Sequence, residues 1–137
     1  MRSRWHALAL VALMVTVGCG LQVTLPTPDD GCPRSVAEAA ALENGREIVL
    51  ATGALIRFVP SPRLDFRGYD VNLMTRNGKT YHETLFLRTA ERIAGVREGE
   101  YVLVVAEATD RSLVVVPGRC PALVPITEEE ASEPWRE

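Results

Sequence analysis

His82 is the only histidine after residue 6, so any chemistry that needs an imidazole must be built around it. An imidazole beside a carboxylate is a general base, and Asp65, Asp70 and Glu83 are the candidate acid-base partners. The chain carries no nucleophile elbow, P-loop, paired-histidine zinc helix or calcium loop. A histidine inside a β hairpin is ordinarily a structural or surface residue. The expectation is therefore no catalytic residue, no metal site and no cofactor, with a hydrolase or other enzyme built on His82 as the alternative. A second group of residues suits binding better. Arg63, Phe66, Arg67, Tyr69, Arg76, Lys79 and Tyr81 interleave cations with aromatic rings. Rings stack on sugars or bases, and guanidinium or ammonium groups pair with anions. The competing reading of the same residues is a solvated hairpin plus core tyrosines.

The chain that must position these residues has 137 residues, room for one domain with a single hydrophobic core. At 47% apolar and 24% charged residues it is ordinary for a globular protein, which sets aside collagen-like and disordered classes. The net charge of −3 gathers at the C-terminus, where Glu128, Glu129, Glu130, Glu133 and Glu137 face Arg136 alone. The remainder is near neutral and lacks the basic surplus of a protein that lives on phosphate contacts, so nucleic acid is not expected as a partner.

The N-terminus reads as an address. Arg2 and Arg4 precede an apolar run from Ala7 to Val17 that ends in Gly18-Cys19-Gly20. This is a signal-peptide layout, and the run is short for a bilayer crossing, which takes about 20 apolar residues. A retained N-terminal anchor is the alternative. Val15-Thr16-Val17-Gly18-Cys19 resembles the bacterial lipobox, although Thr16 stands where leucine is more usual. The resemblance implies a signal peptide over residues 1–18, cleavage before Cys19, a diacylglyceryl thioether on Cys19 and usually a third acyl chain on its amine. Two or more chains anchor a protein stably where one does not. The membrane is then a partner through the lipid. The implied location is the bacterial cell envelope: with Gly20 after the cysteine, the outer membrane facing the periplasm in a diderm cell, or the outer face of the cell membrane in a monoderm one.

With Cys19 taken for lipid, Cys32 and Cys120 remain as an even pair bound for an oxidising compartment, and a disulfide is expected between them. Residues 19–31 read as a lipidated tether, rich in Pro, Thr, Gly and Asp. Residues 32–127 read as the domain, and residues 128–137 as a solvated acidic tail.

Within the domain, Ser35 and Glu38 have capping-box spacing, so a helix is expected to start there and to stop at Asn44-Gly45. Residues 47–59 form a long first strand with Gly53 as a bend point. Tyr69, Val71, Leu73 and Thr75 alternate with polar neighbours as a half-buried second strand. Asn77-Gly78 is a two-residue hairpin turn, which pairs Leu73 with His82 and Asn72 with Glu83 in the third strand, residues 80–89. Leu85-Phe86-Leu87 is apolar on both faces and leaves that register open. Thr89 caps a short helix over residues 90–94, and residues 101–109 and 112–116 form a second hairpin.

Five strands with a short helix between the third and fourth resemble an OB-fold. Residues 35–56 are similar to the lead-in of secreted OB domains, and residues 96–102 to their approach to the fourth strand. The expected fold is mainly β: a small five-stranded Greek-key barrel, OB-fold-like, with an N-terminal helix and that short inter-strand helix. An SH3-like barrel or incomplete sandwich is the alternative. In an OB-fold the face of strands two and three, with the loop between strands one and two, takes oligonucleotides or oligosaccharides. The resemblance thus implies a binding or interaction module with ligand contacts at Arg67, Tyr69, Arg76, Lys79 and Tyr81. Its expected partner is an anionic oligosaccharide or an envelope protein.

Overall fold

The protein is described by a computed structural model over residues 31–42 and 48–135. Cys19, the signal peptide, most of the tether and the Asn44-Gly45 helix stop lie outside the described residues.

Helix α1 (Val36–Ala40) begins as its sequence dictates, the Glu38 amide donating to Ser35 Oγ at 3.1 Å. The Glu38 carboxylate reaches back to the Arg34 amide, one residue before the cap. Strand β1 (Ile48–Val59) is followed by a single 3-10 turn (Leu64–Phe66) and β2 (Gly68–Arg76). The short β3 (Lys79–Thr80), β4 (Thr84–Arg88), β5 (Tyr101–Ala108), β6 (Val114–Pro117), β7 (Leu123–Ile126) and helix α2 (Glu128–Ser132) complete the domain.

β1 pairs antiparallel with both β2 and β5, β2 with β4, and β6 with β5, while β4 and β6 run parallel. The ring β1-β2-β4-β6-β5-β1 closes into a five-stranded OB-fold-like barrel, with β3 extending the first hairpin and β7 continuing the edge of β5. β1 pairs with β2 along one edge and with β5 along the other, and it bends toward closure at two irregularities, between Thr52 and Gly53 and between Leu55 and Arg57. A Cβ at Gly53 would run into the Asn72 carbonyl oxygen, so the bend needs glycine.

The barrel interior is filled by Leu55, Val71, Leu73, Leu85, Leu87 and Val102 among others, all essentially inaccessible. A second cluster lies outside the ring, where Leu50, Leu103 and Val105 meet Ala39 of α1 and Trp135. This explains why β5 reads VLVVA without alternation: Val102 and Val104 face the barrel, Leu103 and Val105 face the outer cluster. The Cys32–Cys120 disulfide is present, with Cα atoms 5.4 Å apart, and ties the chain before α1 to the loop after β6.

Three local expectations are corrected. The third-strand register begins as the Asn77-Gly78 turn demands, with Arg76 opposite Lys79, but slips by one residue so that Val71 faces Leu85 and Tyr69 faces Leu87. The extra residue is absorbed over residues 81–83, where the Leu73 amide donates to the Glu83 carbonyl. The slip wins because it puts both leucines inside. Residues 90–94 form bends and a turn rather than a helix. Their backbone groups are taken by the barrel: the Ile93 amide donates to the Tyr69 hydroxyl at 2.7 Å, and the Ala90 carbonyl accepts from Arg67. Finally, the segment expected as a solvated tail contains α2. Thr127 and Glu130 form a reciprocal capping box, Ala131 is fully buried, and its carbonyl accepts from Thr52 Oγ1 at 2.5 Å. Thr52 Oγ1 also lies 2.6 Å from Thr75 Oγ1, so this buried polar trio is satisfied. Beyond the helix, Trp135 donates its amide to the Gly78 carbonyl and lays its ring over the hairpin turn.

Candidate binding groove

The five residues expected to contact ligand do not share one face. Tyr69 is 3% exposed; its ring packs edge-on against Phe58 at 5.0 Å and its hydroxyl accepts from Ile93. Arg67 and Arg76 flank opposite ends of β2, about 30 Å apart along an extended strand. Tyr81, Lys79 and Arg76 do gather at the hairpin end, the Arg76 guanidinium lying 5.7 Å from the Tyr81 ring centre and the Tyr81 hydroxyl donating to Glu83. Lys79 is exposed there. The physical reason for the correction is the course of β2: Tyr69 takes an inward position, Arg76 falls on the outward side at the far end of the strand, and Arg67 precedes the strand and turns onto the loop before it.

The acid-base set around His82 is also dispersed. His82 is exposed in the irregular stretch between β3 and β4, Glu83 is held by Tyr81, and Asp65 and Asp70 lie on another part of the sheet. Among the described residues, no group of three His, Cys, Asp or Glu side chains is placed to hold a metal ion.

What the fold does build is a groove of about 560 Å³ on the outer face of β1, β2, β4 and β6. Its floor follows from register. Arg57 stands opposite Asp70, Asp70 opposite Phe86, and Phe86 opposite Val114, a row across four strands spanning about 14 Å. The next row carries Val59, Gly68 and Arg88. One wall is the loop between β1 and β2 with Asp65 and Phe66, the other the β5–β6 turn with Thr109, Asp110 and Arg111. Phe66 is 50% exposed, with the Arg63 guanidinium 5.4 Å from its ring centre. Phe86 is half-buried in the floor.

Each wall is braced by an arginine that sequence reasoning assigned to ligand. Arg67 Nε donates to the Ser61 carbonyl at 2.8 Å and Nη1 to Ala90, holding the first loop against the β4–β5 connection. Arg76 Nη1 donates to the Ser112 carbonyl at 2.8 Å and holds the β5–β6 turn. Within that turn Thr109 Oγ1 donates to the Val114 carbonyl and accepts the Arg111 amide. The Thr109 hydroxyl is therefore committed to the turn and is not a free nucleophile.

Three guanidiniums and three carboxylates line the groove. Arg57 and Asp70 pair at 2.9 Å. The side chains of Arg88, Arg111, Asp65 and Asp110 make no ion pair or hydrogen bond among the described residues, so their donors and acceptors face solvent and are available to a ligand. Sequence reasoning missed Phe86, Arg88, Asp110 and Arg111. The signal for Phe86 was present: an apolar residue at the outward position of Leu85-Phe86-Leu87, where solvent-facing strand positions are normally polar. Compared with family models, curated proteins and solved structures, the chain has no match.

Proposed function

We propose that this protein is a membrane-tethered, non-catalytic binding module of the bacterial cell envelope, anchored by lipid on Cys19, and that its groove holds an oligosaccharide. The observation that carries the binding half is the coincidence of position and chemistry. The groove lies on the barrel face and between the loops with which OB-folds take oligonucleotides and oligosaccharides. Phe66 and Phe86 offer apolar ring surface there, and Arg88 and Arg111 offer unused donors. The groove is open and its one hydroxyl is engaged, which suits holding a ligand better than attacking one. The matched arginines and aspartates also disfavour nucleic acid, whose phosphates reward a net basic track. The anchoring half rests on the apolar run and VTVGC ending, and the disulfide agrees with an oxidising compartment.

Metabolic labelling with a fatty acid, comparing wild type with Cys19→Ser, tests the anchor. Labelled wild type and unlabelled mutant are expected, and equal labelling of the two overturns it. For the groove, full-length detergent-solubilised protein is screened against envelope oligosaccharides alongside Phe66→Ala. Binding that Phe66→Ala weakens about tenfold is expected, and binding indifferent to it removes the groove from the function.

A further inference from the structure

We infer that the groove selects uncharged oligosaccharides and rejects polyanionic ones. The inference rests on the oligosaccharide reading above and adds the ligand's charge. It starts from the charges that line the groove. Arg57, Arg88 and Arg111 are matched by Asp65, Asp70 and Asp110, and each sign occurs on the floor and at the walls: Asp65 on one wall, Asp110 beside Arg111 on the other. With the Arg57–Asp70 pair internally satisfied, two guanidiniums and two carboxylates remain for the ligand. Guanidinium only donates and ionised carboxylate only accepts. A ligand must therefore present acceptors to Arg88 and Arg111 and donors to Asp65 and Asp110.

Hydroxyl and acetamido groups do both. A uronate or sulfate satisfies only the arginines and is repelled by the aspartates. Opposite charges alternate closely, since adjacent strands of the floor lie about 5 Å apart and Asp110 adjoins Arg111, inside the Debye length of about 8 Å at physiological salt, so a repeating polyanion cannot place its charges near one sign alone. The basic stretch of the sequence from Arg63 to Lys79 points toward an anionic glycan, but two of its arginines are spent on the walls: Arg67 on Ser61 and Ala90, Arg76 on Ser112. Phe66, half exposed at the rim, and Phe86 in the floor supply stacking that is independent of salt.

The test measures binding of chitotriose and cellotriose, both uncharged, and of a hyaluronan oligosaccharide, to the full-length protein in detergent at low and high salt. The trioses are expected to bind with affinity that changes less than about twofold with salt, because no net ion pairing is involved. Phe66→Ala is expected to weaken them about tenfold, the effect of removing one stacking platform. Asp65→Asn/Asp110→Asn is expected to weaken the trioses and to strengthen hyaluronan. Circular dichroism checks that each variant is folded. Hyaluronan binding more tightly than either triose, and falling steeply with salt, overturns the charge selection while leaving the groove as a glycan site. Triose binding indifferent to both variants overturns it as well, since the sugar then sits elsewhere. Binding of none of the three overturns both this inference and the oligosaccharide reading beneath it.

Discussion

Removing the Cys32–Cys120 disulfide by the double substitution Cys32→Ala/Cys120→Ala is expected to destabilise the fold strongly. The bond closes a loop with a sequence separation of 88, nearly the whole domain. In the chain-entropy account, a loop of that length withholds about 15 cal/mol/K from the unfolded ensemble, or about 4 to 5 kcal/mol at room temperature. Small domains are stable by about 5 to 15 kcal/mol in total, so the double variant is expected to be marginal. With a urea m-value of about 1.5 kcal/mol/M, the midpoint falls by about 3 M. The measurement is equilibrium urea unfolding of the oxidised wild type and the variant, followed by tryptophan fluorescence and by circular dichroism. The origin of the effect is checked in the same curves. A cross-linked unfolded chain is more compact, so the variant's m-value should rise. A loss below about 1 kcal/mol with an unchanged m-value would refute the reasoning, showing that the unfolded chain was not appreciably constrained by the bond. Alanine is chosen because Cys32 is 2% exposed and a serine there would add a buried hydroxyl.

Gly78→Ala is expected to cost about 2 kcal/mol, because φ at 78 is +82° and the new methyl would sit 2.7 Å from the Trp135 ring; a urea midpoint equal to wild type would show that Trp135 does not pack on the turn. Thr52→Val removes the donor to the Ala131 carbonyl and the partner of Thr75, and is expected to cost about 1 to 3 kcal/mol by the same assay. Arg76→Met keeps the stem but releases Ser112, so hydrogen exchange should quicken in residues 109–113 and stay unchanged in β1; uniform exchange rates would reject the brace. The Tyr101 phenol is held above its ordinary range by the Glu128 carboxylate, then by burial and by the hydrogen bond to Glu128. A pKa raised in the folded state contributes stability that is intact below the unfolded phenol value of about 10 and is lost as pH rises through the folded one. The Tm of wild type should therefore fall more as pH rises above about 10 than that of Glu128→Gln, and parallel curves would exclude the coupling.

Elements set by neighbours in the chain were legible from their residues alone. The Ser35 cap, the Asn77-Gly78 turn, the alternation of Tyr69 to Thr75 and the pairing of Cys32 with Cys120 all follow from short-range sterics, hydrogen-bonding capacity or counting. The element order and the lead-in over residues 35–56 resembled an OB-fold, with an SH3-like barrel or incomplete sandwich as the alternative, and the closed five-stranded ring agrees with the OB-like expectation. Even the acidic C-terminus carried its own signal, the capping-box spacing of Thr127 and Glu130, overlooked because charge there was read as solvation.

Long-range packing decided the rest. The slip over residues 81–83 depends on which side of β4 meets β2 inside the barrel, a choice that local periodicity leaves open when Leu85, Phe86 and Leu87 are all apolar. Residues 90–94 have a plausible helix cap, yet Tyr69 and Arg67 offer their backbone groups better partners from across the barrel. The groove is the extreme case. Arg57, Phe86 and Arg111 come from three separate strands or turns and meet only because β1, β2, β4 and β6 are adjacent in the closed ring. Sequence by itself determined the residue types, the Ser35 cap and the Asn77-Gly78 turn, because those are properties of neighbours, and the cross-link, because counting leaves Cys32 and Cys120 as the pair after Cys19. Only the tertiary structure decided that Arg67 and Arg76 brace walls while Arg88 and Arg111 face solvent, because a guanidinium's role is set by the carbonyls or the water that the rest of the chain places around it.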